Sequence, residues 1–530
     1  MKIILLFSFS FLFFIRISQA QKITYSTEKI NSLELGYNIL NKINEKYFIY
    51  IAYFNPAPSI HKSYIYIYNK QMQLLSKEEL KLPDEYFALR FITYQDFIYI
   101  FYQYTQNNHV FCMAAKIDSN GKMNEKPVLL SEINLNNFYL HSSIYNLTYS
   151  EDKKKIAIFT IQENKNEHEI NLLILDQSLK KTEHKIFKIP INSEFESFTN
   201  FSIDNEGDFF FLKKEPYNDA DPYKNVLNLI KNNTDTLSFY YISPNGIKLN
   251  DLSFRINNAE KKLNFFSFYI DSPLRALWKD IPLSEATGKS GIFNAIWDIK
   301  NKSLIETEVP FAKILDPNSN NPELLKLQIQ DFFVGDIYFT KNGSFVLQGQ
   351  TSNPYNPYES FLIPYNNNSI GAFELYYQGI NESGYLSFNN FNLNQHRSDT
   401  YKVFFRRTQT KINKVSANLL LLSFDSTGTF TKLNFANEFK ARDFMTMNTG
   451  DALHYFFFRK ERNNYVVRHL SFTNKGGIQS EIPLKTNENY KFALGYEQTT
   501  EALGYKQVSE TEMIFPVFYR GNLNFAKIEF

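Results

Sequence analysis

Short apolar segments of strand length recur along almost the whole chain. Examples are "YFIYIAYF" at 47–54, "DFIYIFYQY" at 96–104 and "NLLLLSF" at 418–424. Their length and their β-branched and aromatic residues favour strands, because such side chains fit the pleated, half-buried surface of a sheet. The 35 Tyr and 52 Phe of the chain support this interpretation. We therefore predict an all-β protein.

The predicted strands fall into units of about 50 residues with four strands each, which is typical of β-propeller blades. In residues 86–135 the strands "YFALRFITYQ", "DFIYIFYQYTQ", "HVFCMAAKID" and "KPVLLSEI" follow one another with short connections. Comparable units are predicted at 33–83, 138–190, 196–256, 262–311, 336–437 (interrupted) and 442–484.

A polar turn that ends in Gly recurs between the predicted strands. It reads "KIDSNGKM" at 116–123, and related turns occur at 202–209, 242–249, 339–346, 423–430 and 472–479. Gly supplies the positive φ of such turns, while Asp and Asn bind the turn backbone. We interpret Asp118 and Gly121 as the turn between the last two strands of a blade. The recurrence then indicates architecture rather than chemistry.

The two ends of the sequence predict how the ring closes. The last unit has three strands, at 490–498, 512–521 and 523–530, whereas "KITYSTEKI" (22–30) is a strand without a unit. Pairing them would complete a blade and remove two exposed sheet edges. We predict about eight blades, with seven as the close alternative. Two β-sandwiches in tandem also give closely spaced strands, but they do not explain the unmatched N-terminal strand.

Two segments depart from the repeat. Residues 214–234 predict a polar insertion with a short helix that has Val226, Leu227 and Ile230 on one face. Residues 353–411, rich in Asn, Tyr and Pro, predict a longer insertion with little regular structure. Residues 21–530 are otherwise expected to form a single propeller domain.

Residues 1–20 have the features of a signal peptide. Lys2 provides a positive start, an apolar stretch follows to Phe14, and Ser18-Gln19-Ala20 is a small-x-small cleavage site. The apolar stretch is shorter than the roughly 20 residues that span a bilayer, and no later segment is long and apolar enough. The chain is expected to be exported, to the periplasm, the cell surface or the extracellular space.

The charge of the chain argues against a nucleic-acid partner, and its cysteine content argues against an internal disulfide. Without Lys2 and Arg16 of the signal peptide the chain has 55 basic and 55 acidic residues. A nucleic-acid binder displays a concentrated basic surface. The short clusters Lys153–Lys155 and Arg406–Arg407 are each explained more simply by a solvated strand end or turn, so no nucleic-acid partner is expected. Cys112 is the single cysteine, and we interpret it as a buried structural thiol.

Catalytic and metal-binding motifs are not recognised. The eight histidines show no HxH or HExxH spacing. Glu167, His168 and Glu169 are interpreted as a solvated hairpin loop, and Asp219 and Asp221 lack the Gly and distal Glu of an EF-hand-type loop. Gly288-Lys289-Ser290 lacks the earlier Gly of a phosphate loop, and no Gly-x-Ser-x-Gly is present. We therefore predict no metal site and no cofactor.

The turns around Asp204 and Asp425 somewhat resemble the Asp-box turns of sialidase propellers. Both begin with Ser-x-Asp, but Gly comes one residue too late and the aromatic residue that should follow is missing. Both aspartates are therefore interpreted as turn formers.

Tyrosines of the long insertion are the candidate binding residues, because they do not follow a core pattern and Tyr combines an apolar face with a hydroxyl that suits protein or glycan contacts. A role in fixing the insertion to the propeller is the alternative. The candidates are Tyr355, Tyr358, Tyr376, Tyr377 and Tyr385, with Tyr365 in the same segment.

Hairpins such as "LLLLSFDSTGTFTKLNF" and "CMAAKIDSNGKM", together with the Phe-rich signal peptide, resemble those of secreted β-propeller proteins of Bacteroidota-type bacteria. The resemblance implies a propeller fold and export, and no catalytic residue. A non-enzymatic binding or scaffold module for an envelope protein or glycan is the first hypothesis. The alternative is a carbohydrate-active enzyme, a glycoside hydrolase or lyase, with acidic residues in the central funnel.

Overall fold

The computed structural model is almost entirely β. It describes the residues in these ranges: 22–31, 35–53, 62–83, 86–134, 145–163, 166–191, 197–216, 223–232, 234–242, 247–271, 290–314, 332–339, 344–351, 401–403, 419–436, 444–449, 452–461, 464–473, 478–483, 505–519 and 522–530.

The first half of the chain begins with two short strands and continues with four blades. The short strands are β1 (Lys22–Tyr25) and β2 (Ile30–Asn31). Blade 1 contains β3 (Leu35–Ile43), β4 (Lys46–Tyr53), β5 (Lys62–Tyr68) and β6 (Leu74–Leu80). Blade 2 contains β7 (Phe87–Thr93), β8 (Ile98–Gln106), β9 (His109–Ile117) and β10 (Val128–Asn134). Blade 3 contains β11 (Asn146–Tyr149), β12 (Lys155–Glu163), β13 (Glu167–Asp176) and β14 (Lys181–Pro190). Blade 4 contains β15 (Ser197–Ile203), β16 (Phe209–Pro216), β17 (Tyr223–Ile230) and β18 (Leu237–Ile242).

The second half adds four more blades. Blade 5 contains β19 (Ile247–Asn257), β20 (Lys262–Asp271), β21 (Ser290–Asp298) and β22 (Ser303–Pro310), followed by the short helix α1 (Phe311–Ile314). Blade 6 contains β23 (Phe332–Phe339), β24 (Phe345–Thr351), β26 (Leu419–Phe424) and β27 (Phe430–Ala436), with β25 (Tyr401–Val403) between β24 and β26 along the chain. Blade 7 contains β28 (Phe444–Asn448), β29 (Ala452–Glu461), β30 (Asn464–Thr473) and β31 (Ile478–Pro483). Blade 8 contains β32 (Lys506–Gln507), β33 (Glu512–Tyr519) and β34 (Asn522–Glu529), and is completed by β1.

The described strands thus form eight antiparallel blades arranged as a β-propeller, which confirms the predicted fold and the count of eight. Burial explains the sequence pattern. Middle strands are buried on both faces, as in β21, where eight of nine positions are buried. Outer strands alternate, as in β14, because one of their faces meets solvent. Apolar clusters fill the spaces between blades. In one of them Phe159 of blade 3 packs 4.5 Å from Phe201 of blade 4, between ring centroids.

The ring closes as predicted, through β1. Lys22 to Tyr25 pair antiparallel with Ala526 to Glu529 of β34. Ser26 continues the contact, since its backbone N–H donates to Phe525 O at 2.7 Å. The innermost strand of this blade in the described residues is Lys506–Gln507. The segment predicted for that position, 490–498, lies outside the described residues.

The prediction of a loop and helix at 214–234 is wrong where the structure describes it. Residues 223–230 are β17, the third strand of blade 4, and Asn225 to Ile230 are all buried. Apolar residues on both faces of a middle strand give no alternation, and a helical face was inferred instead. The error shifted the next unit by one strand. "LNDLSFRI", assigned to the end of that unit, belongs to β19, the first strand of blade 5.

The long insertion interrupts blade 6, as the repeat predicts. β24 and β26 are neighbours, with Leu347 opposite Leu422, although about 70 residues separate them along the chain. Within 353–411 the structure describes β25, which pairs antiparallel with Leu35–Tyr37 on the inner edge of blade 1. The rest of the insertion lies outside the described residues. Among the described helices none is long and apolar enough to cross a membrane.

Candidate functional site at the axial turns

The turns between the first and second strands of blades 1 to 5 lie at one end of the propeller, beside its axis. We call residues 44–45, 94–97, 150–154, 204–208 and 258–261 the axial turns. Several need a left-handed backbone: φ is +58° at Lys153, +98° at Gly207 and +55° at Lys261. Innermost strands face the central channel, so these turns frame its opening.

The axial turns of blades 3, 4 and 5 are hydrogen-bonded to one another. The Asp152 N–H donates to Asn205 Oδ1 at 3.1 Å, and the Asn205 N–H donates to Asn258 Oδ1 at 3.0 Å. Both bonds join residues 53 positions apart, the length of one blade. Asn258 Nδ2 also donates to Glu151 Oε2 at 2.8 Å, which links blade 5 back to blade 3. Side-chain amides therefore fix the spacing of these turns.

Lys153 is the basic group that this arrangement places beside the axis. Its Nζ donates to Thr93 O of blade 2 at 2.7 Å, and Tyr94 donates its hydroxyl hydrogen to Lys153 O at 2.9 Å. Burial, and then the positive charge of Lys506, lower the pKa of Lys153 to about 8. Lys506 belongs to β32, the innermost strand of blade 8. The charge of Lys506, on a blade far along the chain, thus acts on Lys153.

The acidic side chains described on the neighbouring turns have partners of their own. Glu151 accepts from Asn258, and Glu206 forms an ion pair with Lys261. Burial and the charge of Lys506 both disfavour the charged form of Lys153. An anionic group beside Lys153 would favour the charged form of this lysine. The turn is therefore suited to binding an anion.

The enzyme hypothesis requires acidic residues in the central funnel. Asp204 and Asp208, at the two ends of the blade 4 axial turn, are the candidate carboxylate pair. Burial and then Asp208 raise the pKa of Asp204 to about 6. However, Asp204 Oδ1 accepts the N–H groups of Glu206, Gly207 and Asp208, at 3.0, 2.8 and 2.8 Å. Asp208 Oδ1 accepts the Asn232 N–H at 2.7 Å. The interpretation of Asp204 as a turn former is confirmed.

In turns between the third and fourth strands, too, an Asp carboxylate accepts N–H groups of the turn backbone. Asp118 Oδ1 accepts the N–H groups of Asn120 and Lys122 at 2.8 and 2.9 Å, and Gly121 has φ +81°. This turn joins β9 to β10, so the prediction for Asp118 and Gly121 is confirmed. Asp425 closes the corresponding turn of blade 6. The turn around Asp204 instead joins the first two strands of blade 4, so the motif is not confined to one position in the blade.

The predicted binding residues lie outside the described residues. These are Tyr355, Tyr358, Tyr376, Tyr377 and Tyr385, and Tyr365 as well.

Among the weaker candidates, the hairpin-loop interpretation of Glu167–Glu169 is wrong. These residues begin β13, and His168 is buried with its ring 4.9 Å from that of Phe198. Cys112 is buried, as predicted. In the described part of the chain no three His, Cys, Asp or Glu side chains are grouped so as to hold a metal ion.

Sequence pattern alone does not single out Lys153, because the run Lys153–Lys155 predicts a solvated turn. That interpretation holds for Lys154, which is exposed. One feature of the sequence does indicate the place of Lys153. The run Lys153–Lys155 precedes the predicted second strand of a blade, and the turn there follows the innermost strand. Lys506 could not have been associated with it, because it lies on a blade far along the chain.

The sequence matches no protein-family model and no curated protein. Its fold is similar to those of several solved structures. One is prolyl oligopeptidase B from Galerina marginata, at 7% identity and a TM-score of 0.38, covering 94% of this chain and 55% of that one, so the chain spans about half its length. Another is the β-propeller domain of the Trilobed protease from Pyrococcus furiosus, at 11% identity and a TM-score of 0.34, covering 89% and 99%. A third is a polysaccharide lyase, at 12% identity and a TM-score of 0.35, covering 96% and 99%. Similarity at this level carries no information on activity or ligand.

Proposed function

We propose that the chain is an exported, non-enzymatic β-propeller that binds an acidic protein or glycan at the cell envelope through its axial turns. The Lys153 ammonium carries the proposal. It is held in the axial turn by Thr93 O, and burial and the charge of Lys506 both disfavour its charged form. A carboxylate or sulfate of the ligand would be bound at Lys153 by a charge-assisted hydrogen bond.

The alternative, a carbohydrate-active enzyme, is less well supported by the described residues. Glycoside hydrolysis requires two carboxyl groups that can reach the scissile bond from opposite sides. Asp204 and Asp208 are committed to backbone N–H groups, and Glu151 and Glu206 to neighbouring turns. A raised pKa, as at Asp204, is also a property of general acids, so activity is to be measured together with binding.

Binding is tested with residues 21–530 and polygalacturonate, poly-glutamate and neutral dextran, by titration calorimetry. The matched variants are Lys153→Gln, which keeps a donor for Thr93 O, and Lys154→Gln, which removes the exposed neighbouring charge. We expect an acidic polymer to bind, Lys153→Gln to weaken it about tenfold, and Lys154→Gln to leave it nearly unchanged. Added salt should weaken binding to the wild-type chain.

The two polymers distinguish a glycan from a polypeptide ligand. The proposal would be contradicted if neither acidic polymer bound, or if Lys153→Gln and Lys154→Gln lost the same amount of affinity. Release of reducing ends or unsaturated uronates during the incubation would favour the enzyme instead.

Export is tested separately, on the chain isolated from its native cells. Cleavage after Ala20 predicts an intact mass that begins at Gln21. A chain that retains residues 1–20 would contradict it.

A further inference from the structure

Three tyrosine rings of blade 1 surround a lysine ammonium on the outer side of the propeller. Lys77 Nζ lies 4.1 Å from the ring centroid of Tyr64, 5.1 Å from that of Tyr66 and 5.3 Å from that of Tyr53. All three distances are within the range of cation–π attraction. We call Tyr53, Tyr64 and Tyr66 the tyrosine cage.

The cage is held in place independently of Lys77. The Tyr53 and Tyr66 hydroxyls are hydrogen-bonded at 2.7 Å, and the rings of Tyr53 and Tyr64 meet edge to face, with centroids 5.8 Å apart. Tyr66 is 3% exposed and belongs to the apolar cluster between blades 1 and 8. Tyr64 and Tyr66 lie two residues apart on β5, so both project from the same face. The rings are therefore preorganised for a cation.

Two carboxylates act on the cage through their negative charges. Glu28, in the link between β1 and β2, favours the protonated forms of Lys77, Tyr53 and Tyr66, and Glu79, opposite Tyr64 on β6, favours that of Lys77. Burial is nevertheless the largest influence on Lys77, and it lowers its pKa. Several aromatic faces around one point form the arrangement that proteins use to bind alkylated ammonium ions.

Lys77 is a poor match for this environment. A primary ammonium has three N–H donors that need acceptors, and ring faces satisfy them less well than water does. A quaternary ammonium has no N–H donor and is weakly hydrated, so it loses less when it enters the cage. Lys77 lies on the outer strand β6, is exposed and has a flexible stem, so it can leave without disturbing the core.

We propose that the tyrosine cage is a binding site for a quaternary ammonium group, which Lys77 occupies when no ligand is bound. The ligand's cation replaces the Lys77 ammonium against Tyr53, Tyr64 and Tyr66, and Glu28 provides the counter-charge. This site lies on the outer side of the propeller and is separate from the axial turns.

Choline is the probe, with ethanolamine as the matched primary amine, in titrations followed by tyrosine difference absorbance and calorimetry. The wild-type chain should bind choline with a millimolar dissociation constant and ethanolamine at least about tenfold more weakly. Lys77→Ala should tighten choline binding about three- to tenfold, because the competing side chain is gone. Tyr64→Leu should weaken it about tenfold or more, and Lys81→Ala, which removes an exposed charge next to β6, should change nothing.

Thermal unfolding of each variant shows that its fold is retained. The proposal is overturned if folded wild type and Lys77→Ala both fail to bind choline, if ethanolamine binds as well as choline, or if Tyr64→Leu binds like the wild type. Cosedimentation with phosphatidylcholine vesicles distinguishes the source of the group. Binding of both vesicles and free choline indicates a lipid headgroup, and binding of free choline alone indicates a soluble ligand. Binding of vesicles without free choline would also contradict the proposal.

Discussion

Tyr47 donates its hydroxyl hydrogen to Glu512 Oε1 at 2.7 Å, and so joins the second strand of the first blade to the second strand of the last. Glu512 Oε2 also accepts from Lys42 Nζ at 2.9 Å, and the Lys527 ammonium lies 3.5 Å from Oε1. The side chains of Glu512 and Lys527 are 4% and 1% exposed. An ionic network is therefore buried at the junction where the ring closes.

Glu512→Gln should destabilise the protein by about 3 kcal/mol, because it leaves the buried ammonium of Lys527 without its full counter-charge. Urea unfolding at pH 7 measures the change. Glu510→Gln is the matched control, since Glu510 is exposed in the same turn. An equal stability of the two variants would show that Glu512 has no role in closure.

Acid should weaken the same junction. Burial alone would raise the pKa of Glu512, but hydrogen bonds from Tyr47 and Lys42 outweigh it and lower the pKa to about 2. A carboxyl group with a pKa lowered on folding stabilises the folded state above its unfolded value, and this stabilisation is lost as the pH falls through the folded value. The difference between wild type and Glu512→Gln should therefore shrink between about pH 4.5 and pH 2.

Asp204→Asn should stabilise the protein at pH 7, by about 1–3 kcal/mol. The pKa of Asp204 is raised to about 6, first by burial and then by Asp208. The folded state therefore carries the cost of a buried charge above that pH, and the cost disappears as the pH falls towards the unfolded value. Asn keeps the oxygen that accepts the turn N–H groups. Unfolding at pH 7 and pH 4.5 should show a gain at the first pH that is smaller at the second.

Asp425→Asn is the control with the opposite sign. Asp425 accepts turn N–H groups in the same way, between the third and fourth strands of blade 6, but the hydrogen bond from Thr427 and those from the turn backbone lower its pKa. Its ionised form therefore favours folding above the unfolded pKa, and its replacement should not stabilise at pH 7. A similar gain in both variants would mean that burial and Asp208 are not the cause.

The histidine pair of blade 7, in which His469 is buried and His454 half-buried, predicts a loss of stability in mild acid. His454 Nδ1 and His469 Nε2 are 2.9 Å apart, and burial lowers their pKa values to about 4 and about 3. Below the ordinary pKa of His the unfolded chain takes up protons that the folded chain cannot, so each histidine costs up to about 1.4 kcal/mol per pH unit. Between pH 7 and pH 4.5 the melting temperature of His469→Gln should fall less steeply than that of the wild type. Equal slopes in the wild type and the variant would contradict the assignment.

Cys112 should report global unfolding. It is 4% exposed, and burial raises the pKa of its thiol to about 12. Because the thiolate is the reactive form, we expect a thiol reagent at pH 8 to react at least about 100-fold more slowly with the native chain than with the chain in urea. One cysteine per chain makes the signal unambiguous. Rapid reaction of the native protein would show that blade 2 opens locally.

The repeat made the architecture predictable, while the assignment of single strands depended on burial. Outer strands alternate and hairpin turns contain Asp and Gly, so both are visible locally. β17 was missed because "NVLNLI" is buried on both faces and does not alternate. The closure of the ring was predictable from the number of strands, because the last unit has three strands and the N-terminal strand has no unit of its own.

The candidate sites were less predictable, because their residues meet only after folding. The alternation of Tyr64, Tyr66 and Tyr68 is plain in the sequence, but its relation to Lys77 depends on a hairpin register shifted by a bulge next to Tyr68. The pKa of Lys153 depends on Lys506, whose blade is the last in the chain. Interactions across blades leave no local pattern.

The Phe525 N–H donates to Ser26 Oγ across 499 positions of sequence. Such a contact cannot form until all of the chain between its two partners has been synthesised. The first seven blades can assemble on a growing chain, but the eighth needs both β1 and β34, and contacts of this separation form slowly. Until they pair, β34 lacks its outer partner and the open ring presents bare sheet edges to other chains. The interval between the synthesis of β34 and ring closure is therefore the period in which this protein is most exposed to aggregation and proteolysis.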